Sequence, residues 1–358
     1  MGTLFDYLDW RGDLTFEQCE FGEVDSLILS LVSYLDFYKI VPASPVAKGC
    51  AFLAAAKRYA QRHKGEGNVI GLIMPPETVT VTTSAARTVR FGTLRMVGHV
   101  NIVDDNIQSQ FSATTFLAGE KACFVAFRGT DDTIVGWKES FNMSFLSPIP
   151  AQSFAAEYLR HIAIAHPDRK IYLCGHSKGG NLAVYAAVRS SPEVKERIAA
   201  VYNNDGPGFD REFIESEEYL AIRDRIRTLV PQSSVVGMLL EHEESYEVVK
   251  SNQVGLLQHN GFSWEVMGGR FIHTDSVTEE SRYIDLTLKQ WLSEMTAEER
   301  KHVIDAVYEI LASTNAKTLT ELSAEKLKVV KAWNTLDPEA KTIVKRMIRL
   351  VTKNAKKK

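Results

Sequence analysis

The sequence predicts an α/β protein: a mostly parallel central sheet with helices on both faces, followed by a helical appendix. Three observations carry this. Strand and helix signals alternate from about residue 122 to residue 230, the pattern of crossover units. The run Gly175-His176-Ser177-Lys178-Gly179 sits between a strand signal and a helix signal. Past Ile284 the strand signals stop and long charged helical patterns take over. With 358 residues, 45% of them apolar, the chain can bury one large domain over residues 1–285 and carry an appendix over 286–358.

In chain order, residues 23–37 place Leu27, Ile28, Leu31, Val32 and Leu35 at helical spacing behind an acidic first turn. An alanine-rich helix is expected over 45–62. Residues 108–117 and 122–127 read as a hairpin turning at Ala118-Gly119-Glu120. A helix over 151–165, with Phe154, Tyr158, Leu159 and Ile162 on one face, leads into a strand at 170–174. A helix at 178–189, a strand at 199–204, a helix near 210–224 and a strand at 226–230 follow. In the appendix, about three helices are expected: Thr296-Ala297-Glu298-Glu299 forms a capping box, and Asp337-Pro338 puts an N-cap ahead of proline.

Composition narrows the function classes. A net charge of −3 argues against a globally basic nucleic-acid binder. Cys19, Cys50, Cys123 and Cys174 lie far apart without a C-x-x-C pair, which fits thiols of a reducing compartment and neither a disulfide scaffold nor a zinc knuckle. The N-terminus lacks a signal-peptide pattern, and apolar stretches fall short of the roughly 18 residues of a membrane span. A cytoplasmic protein is expected. From Lys345 onward seven basic residues and no acid alternate with Met347, Ile348, Leu350 and Val351. That end reads as a solvated tail or as a weak contact for an anionic membrane.

The chemistry concentrates at Ser177. Glycines flanking a serine between strand and helix let the two elements approach closely and project the hydroxyl from the sheet edge, the setting of a nucleophile elbow. Beneath it, the helix N-terminus favours developing negative charge. Acyl transfer needs two donors at the oxyanion; the Lys178 N–H is one candidate, and Thr130, at the end of the strand 122–127 in Phe127-Arg128-Gly129-Thr130, is the other, its hydroxyl offering a third. The plain alternatives are a serine N-cap on an ordinary helix and a turn with Arg128 in a surface ion pair.

Phe127-Arg128-Gly129-Thr130 followed by Trp137, then Gly175-His176-Ser177-x-Gly179-Gly180, resembles the class 3 (fungal-type) lipases of the α/β-hydrolase superfamily. Asp9-Trp10-Arg11-Gly12-Asp13, Gly136-Trp137-Lys138-Glu139 and Gln258-His259-x-x-Phe262-Ser263-Trp264 resemble a bacterial lipase-like branch more closely. The resemblance covers about residues 1–285. It implies an α/β-hydrolase fold, a Ser-acid-His triad and action on a small-molecule or lipid ester without cofactor or metal. The segment 138–152, where such lipases carry a lid, is only moderately apolar.

In this fold's chain order the histidine follows the serine, leaving His242, His259, His273 and His302. His302 lies mid-helix, and His242 sits in the charged run Glu241-His242-Glu243-Glu244. His259 precedes the turn pair Asn260-Gly261 on a loop and is the chosen general base, with His273 in reserve. For the acid the chain departs from the class 3 pattern, which here reads Pro231-Gln232-Ser233-Ser234. One strand earlier, Asn203-Asn204-Asp205-Gly206 ends in a carboxylate at a glycine-rich turn, as in pancreatic-type lipases. Asp205 is the substitute acid, against the alternative of a turn residue alone. Lys178, where class 3 lipases carry an apolar residue, reads as a cation beside the oxyanion or as a lysine snorkelling to solvent. The functions left open are ester hydrolysis, acyl transfer or thioester cleavage, and binding without catalysis by a degraded triad.

Overall fold

The computed structural model describes residues 2–64 and 75–293, and beyond them residues 295, 296, 298–302, 304, 305, 308, 316–318, 321, 338, 341, 342 and 345. Most of the expected appendix, Asp337 of the Asp337-Pro338 signal and the basic end after Lys345 lie outside the described residues.

Strands β1 (Cys50–Ala51), β2 (Arg95–Asp104), β3 (Ser109–Ala118), β4 (Ala122–Phe127), β5 (Lys170–His176), β6 (Ile198–Asn204), β7 (Ile226–Pro231) and β8 (Tyr246–Val249) lie side by side in chain order. A small ribbon of β9 (Val266–Met267) and β10 (Arg270–Phe271) precedes β11 (His273–Thr274), which closes the far edge against β8. From β4 to β8 every neighbour is parallel, while β1 to β4 form an antiparallel meander. The expected hairpin is the β3–β4 pair, with Ala118 opposite Ala122.

Period-two alternation builds two cores. Along β5, Ile171 and Leu173 lie in the core formed with the helices Pro150–Ala165 and Lys178–Val188, whereas Tyr172 and Cys174 lie on the opposite face, in the core formed with the helix Glu23–Val32 and continued by Phe52–Arg62 over β2. Each fully buried aliphatic or aromatic side chain contributes roughly 1.5–3 kcal/mol, so both sheet faces are driven to be covered. The result is a three-layer α/β/α sandwich.

Several expectations shift. The helix expected over 45–62 begins only at Phe52, because Gly49 takes φ +77° and Cys50–Ala51 pairs with β2. The segment near 210–224 divides into the short helices Arg211–Ile214 and Glu217–Leu220, each capped by its own side chain, Asp210 and Ser216. The segment 138–152 is the end of a helix Ile134–Asn142, a turn, and the start of the helix Pro150–Ala165. The Thr296 capping box forms, with Glu299 N–H donating to Thr296 Oγ1 at 3.2 Å.

Candidate active site

Ser177 joins β5 to the helix Lys178–Val188 at φ +58°, ψ −135°, a conformation sterically costly for any residue with a Cβ. Close packing holds it there. A Cβ on Gly175 would lie 2.0 Å from the Gly179 carbonyl oxygen, and one on Gly179 would lie 2.2 Å from that of Phe127. Ser177 N–H donates to the Asn204 carbonyl at 3.0 Å, which ties the turn to the end of β6.

Asp205 leaves β6 at φ +52° with its side chain fully buried. Its Oδ2 accepts from His259 Nδ1 at 2.6 Å, while Oδ1 accepts from Ser234 Oγ at 2.5 Å and from Gly237 N–H at 3.1 Å. With Nδ1 donating to the carboxylate, the Nε2 lone pair of His259 is left for the cavity. Asn181 Nδ2 fixes the following loop through the Pro207 and Gly208 carbonyls at 3.1 and 2.9 Å. The sequence-chosen acid and base therefore meet across 54 residues of chain. No hydrogen bond among those described joins Ser177 to His259; the two share a cavity wall, and such contacts often tighten only with substrate bound.

His259 ends the 3₁₀ turn Gly255–His259 and is held from behind by His176. The His259 carbonyl can only accept, so His176 Nε2–H donates to it at 2.8 Å, and Tyr34 O–H donates to His176 Nδ1 at 3.2 Å. The two imidazoles lie 4.6 Å apart. Burial, then the neighbouring His259, push the His176 pKa down to about 3, so this histidine is neutral.

The oxyanion candidates are both beside the serine. As the first residue of its helix, Lys178 has no intrahelical partner for its N–H. Its side chain contradicts the snorkelling expectation: it is fully buried, with Nζ 2.7 Å from Glu139 Oε2 and 2.8 Å from the Gln110 carbonyl. A carboxylate waiting on the inward side outweighs solvation, although burial still pulls the Lys178 pKa downward. Thr130 Oγ1 lies 2.6 Å from Ser140 Oγ. Because Ser140 donates its proton to the Gly136 carbonyl at 2.9 Å, Thr130 is the donor of that bond and only its N–H faces other work. Arg128 is likewise not a surface residue; it is buried against Asp131 and Asn101, each at 2.9 Å.

A cavity of about 660 Å³ opens over these groups, walled by Leu31, Trp137, Phe141, Met143, Leu239 and Leu257 beside Ser177, His259 and Thr130. Among the described residues Lys178 is the one lysine, arginine or carboxylate in its wall, and its ammonium is spent on Glu139.

The other histidines are elsewhere. His242 is half-buried rather than exposed, between Glu244 at 3.0 Å and the Gly237 carbonyl at 2.8 Å. His273 bridges Glu23 and Glu247, and these three bring ligand atoms within 4.8 Å of one another, a mostly exposed ion-pair set. His302 lies on an exposed helical stretch. Tyr34 carries no sequence signal, and His176, Glu139 and Ser234 appear in the sequence only inside their motifs, Ser234 as the serine in the class 3 acid position, without the roles seen here.

A mostly parallel sheet with a strained serine between its central strand and the following helix is an α/β-hydrolase fold. The family model described as Mbeg1-like matches residues 85–309, and the chain belongs to that family. Comparison with curated proteins finds no match. Among solved structures, lipase II from Rhizopus niveus is similar at 15% identity over 67% of this chain and 86% of that one, with a TM-score of 0.37. The Lip2 lipase of Yarrowia lipolytica is 12% identical over 52% and 84%, with a TM-score of 0.34. A triacylglycerol lipase from Penicillium expansum is 12% identical over 52% and 76%, at 0.33. Among the described residues no helix is long and apolar enough to cross a membrane.

Proposed function

We propose that this chain is a serine hydrolase that cleaves carboxylic esters through an acyl-enzyme on Ser177. The observation that carries the reading is the 2.6 Å hydrogen bond between buried Asp205 and His259 Nδ1 in the wall of the cavity that holds Ser177. Ser177 Oγ attacks the acyl carbonyl while His259 Nε2 takes its proton, and Asp205 stabilises the imidazolium. The N–H groups of Lys178 and Thr130 receive the tetrahedral oxyanion. Collapse expels the alcohol, protonated by His259, and water activated by the same histidine releases the acid. The largely apolar described wall, its one lysine ammonium paired with Glu139, suits a neutral acyl group.

The reading as a binding module without catalysis rests on serines in the class 3 acid position; the Asp205–His259 contact favours the catalytic reading over it. The test is labelling by a fluorophosphonate and hydrolysis of p-nitrophenyl butyrate by wild type and Ser177→Ala. Wild type is expected to label and turn over, and the variant to do neither while keeping its circular dichroism. Equal behaviour of the two proteins excludes Ser177 as nucleophile.

A further inference from the structure

We infer that Glu139 and Ser140, neighbours on the helix Ile134–Asn142, are positioning residues that hold the two oxyanion donors in register. The inference rests on the serine-hydrolase reading above. Glu139 is fully buried, and its carboxylate accepts four hydrogen bonds: Ser109 Oγ and Ala151 N–H on Oε1, both at 2.9 Å, and Gln110 N–H at 3.0 Å with Lys178 Nζ at 2.7 Å on Oε2. One side chain thereby joins β3, the start of the helix Pro150–Ala165 and the first residue of the helix after Ser177. A buried ion pair is a poor way to fill space, because apolar side chains of similar volume stabilise as well or better. What this pair does that Met and Leu would not is tether, by a charged and doubly bonded ammonium, the residue whose N–H faces the oxyanion.

Ser140 does the same for the second donor. It spends its own proton on the Gly136 carbonyl and accepts from Thr130 Oγ1 at 2.6 Å, so Thr130 is pinned by its hydroxyl and left with its N–H for the site. The strand end that bears Thr130 and the helix that bears Lys178 come from different crossover units. Adjacent residues of a third element set their spacing. Preorganised donors act on the transition state and not on the bound ester, so loosening them lowers kcat and leaves KM nearly unchanged.

The experiment measures kcat and KM on p-nitrophenyl butyrate, and affinity for an alkyl boronic acid that forms a tetrahedral serine adduct, in the full chain. Glu139→Gln and Ser140→Ala are each expected to lower kcat about tenfold to a hundredfold with KM within about threefold, and to weaken the boronate in parallel. Ser140→Thr, which keeps the hydroxyl, restores the rate. If Glu139→Gln does not fold, the apolar pair Glu139→Leu with Lys178→Met keeps the core filled, and its kcat is expected to stay low. Wild-type kcat in folded Ser140→Ala and Glu139→Leu/Lys178→Met overturns this inference alone. Absence of Ser177-dependent turnover in the wild type overturns the hydrolase reading, and this inference with it.

Discussion

A carboxylate as deeply buried as that of Asp205 must have its lone pairs answered, and the answers come from two parts of the chain: His259, and the turn that carries Ser234 and Gly237. Sequence located two of these participants. Asp205 stood out as a carboxylate at a strand end, and His259 as a loop histidine in the right order. Ser234 read only as a missing acid, because no local pattern reveals a hydroxyl that converges on a carboxylate 29 residues away. Asp205→Asn is expected to lower kcat by about 10⁴, since the amide no longer fixes the productive tautomer or balances imidazolium. Ser234→Ala, which leaves the carboxylate a second donor, should cost under about tenfold, a barrier change below ~1.4 kcal/mol. Steady-state kinetics on one soluble ester separates the two; a near-normal Asp205→Asn would move the acid elsewhere.

His176 adds a pH dependence of stability. Its pKa is held at about 3 in the folded chain against 6.5 for an ordinary histidine. Between those values the unfolded chain binds a proton that the folded chain refuses, so stability falls as pH drops below 6.5 and goes on falling toward 3. His176→Asn should flatten this decline. Urea midpoints at pH 7, 5.5 and 4 for both proteins check it, and parallel slopes would show that the buried imidazole contributes nothing.

At the scale of elements, legibility followed local periodicity. The β3–β4 hairpin and the parallel units β5 to β7 were readable because apolar alternation and glycine turns are written in adjacent residues. The helix Ile134–Asn142 was not read as one: Lys138 and Glu139 are buried, and two adjacent charges look like a solvent face until Asp305 and Lys178 are seen opposite them. β2 is not read either: it shows no clean apolar-in, polar-out alternation, since past its buried stretch an apolar residue, Val103, stands exposed beside Asn101 while the charged Asp104 is half-buried. The turn at Ser177 was the most legible feature, since only glycine fits at the crossing. Gly179→Ala brings a Cβ to 2.2 Å from the Phe127 carbonyl oxygen. It should destabilise the fold by about 3 kcal/mol, the upper end of ordinary overpacking. Equilibrium urea unfolding measures this, and a loss under 1 kcal/mol would mean that the strand and helix can part there.

Across the whole molecule, the appendix bears on the same helix that braces the oxyanion donors. Lys138 is 5% exposed because Asp305 lies 2.8 Å from its ammonium and the Tyr308 ring sits 4.1 Å away. The Ile134 N–H donates to the Lys317 carbonyl at 2.9 Å, and Arg300 binds the Ser144 carbonyl. Sequence showed a change of composition near Ile284 and every site residue before it, from which the appendix reads as detachable. These contacts argue for the opposite dependence: without residues 295–358, Lys138 and the first turn of the helix Ile134–Asn142 lose their partners, while both sheet cores keep theirs. The truncated chain is therefore expected to fold, with a lower thermal midpoint, and to hydrolyse p-nitrophenyl butyrate with kcat reduced more than about tenfold and KM little changed. Asp305→Ala, which removes one exposed-side partner, should have a smaller effect in the same direction, since a partly exposed pair is worth ~1 kcal/mol or less. Circular dichroism, melting and steady-state kinetics on the three proteins decide it. Full kcat in a folded truncation would mean that the helix is held by the sheet alone and that the appendix serves some purpose away from the cavity.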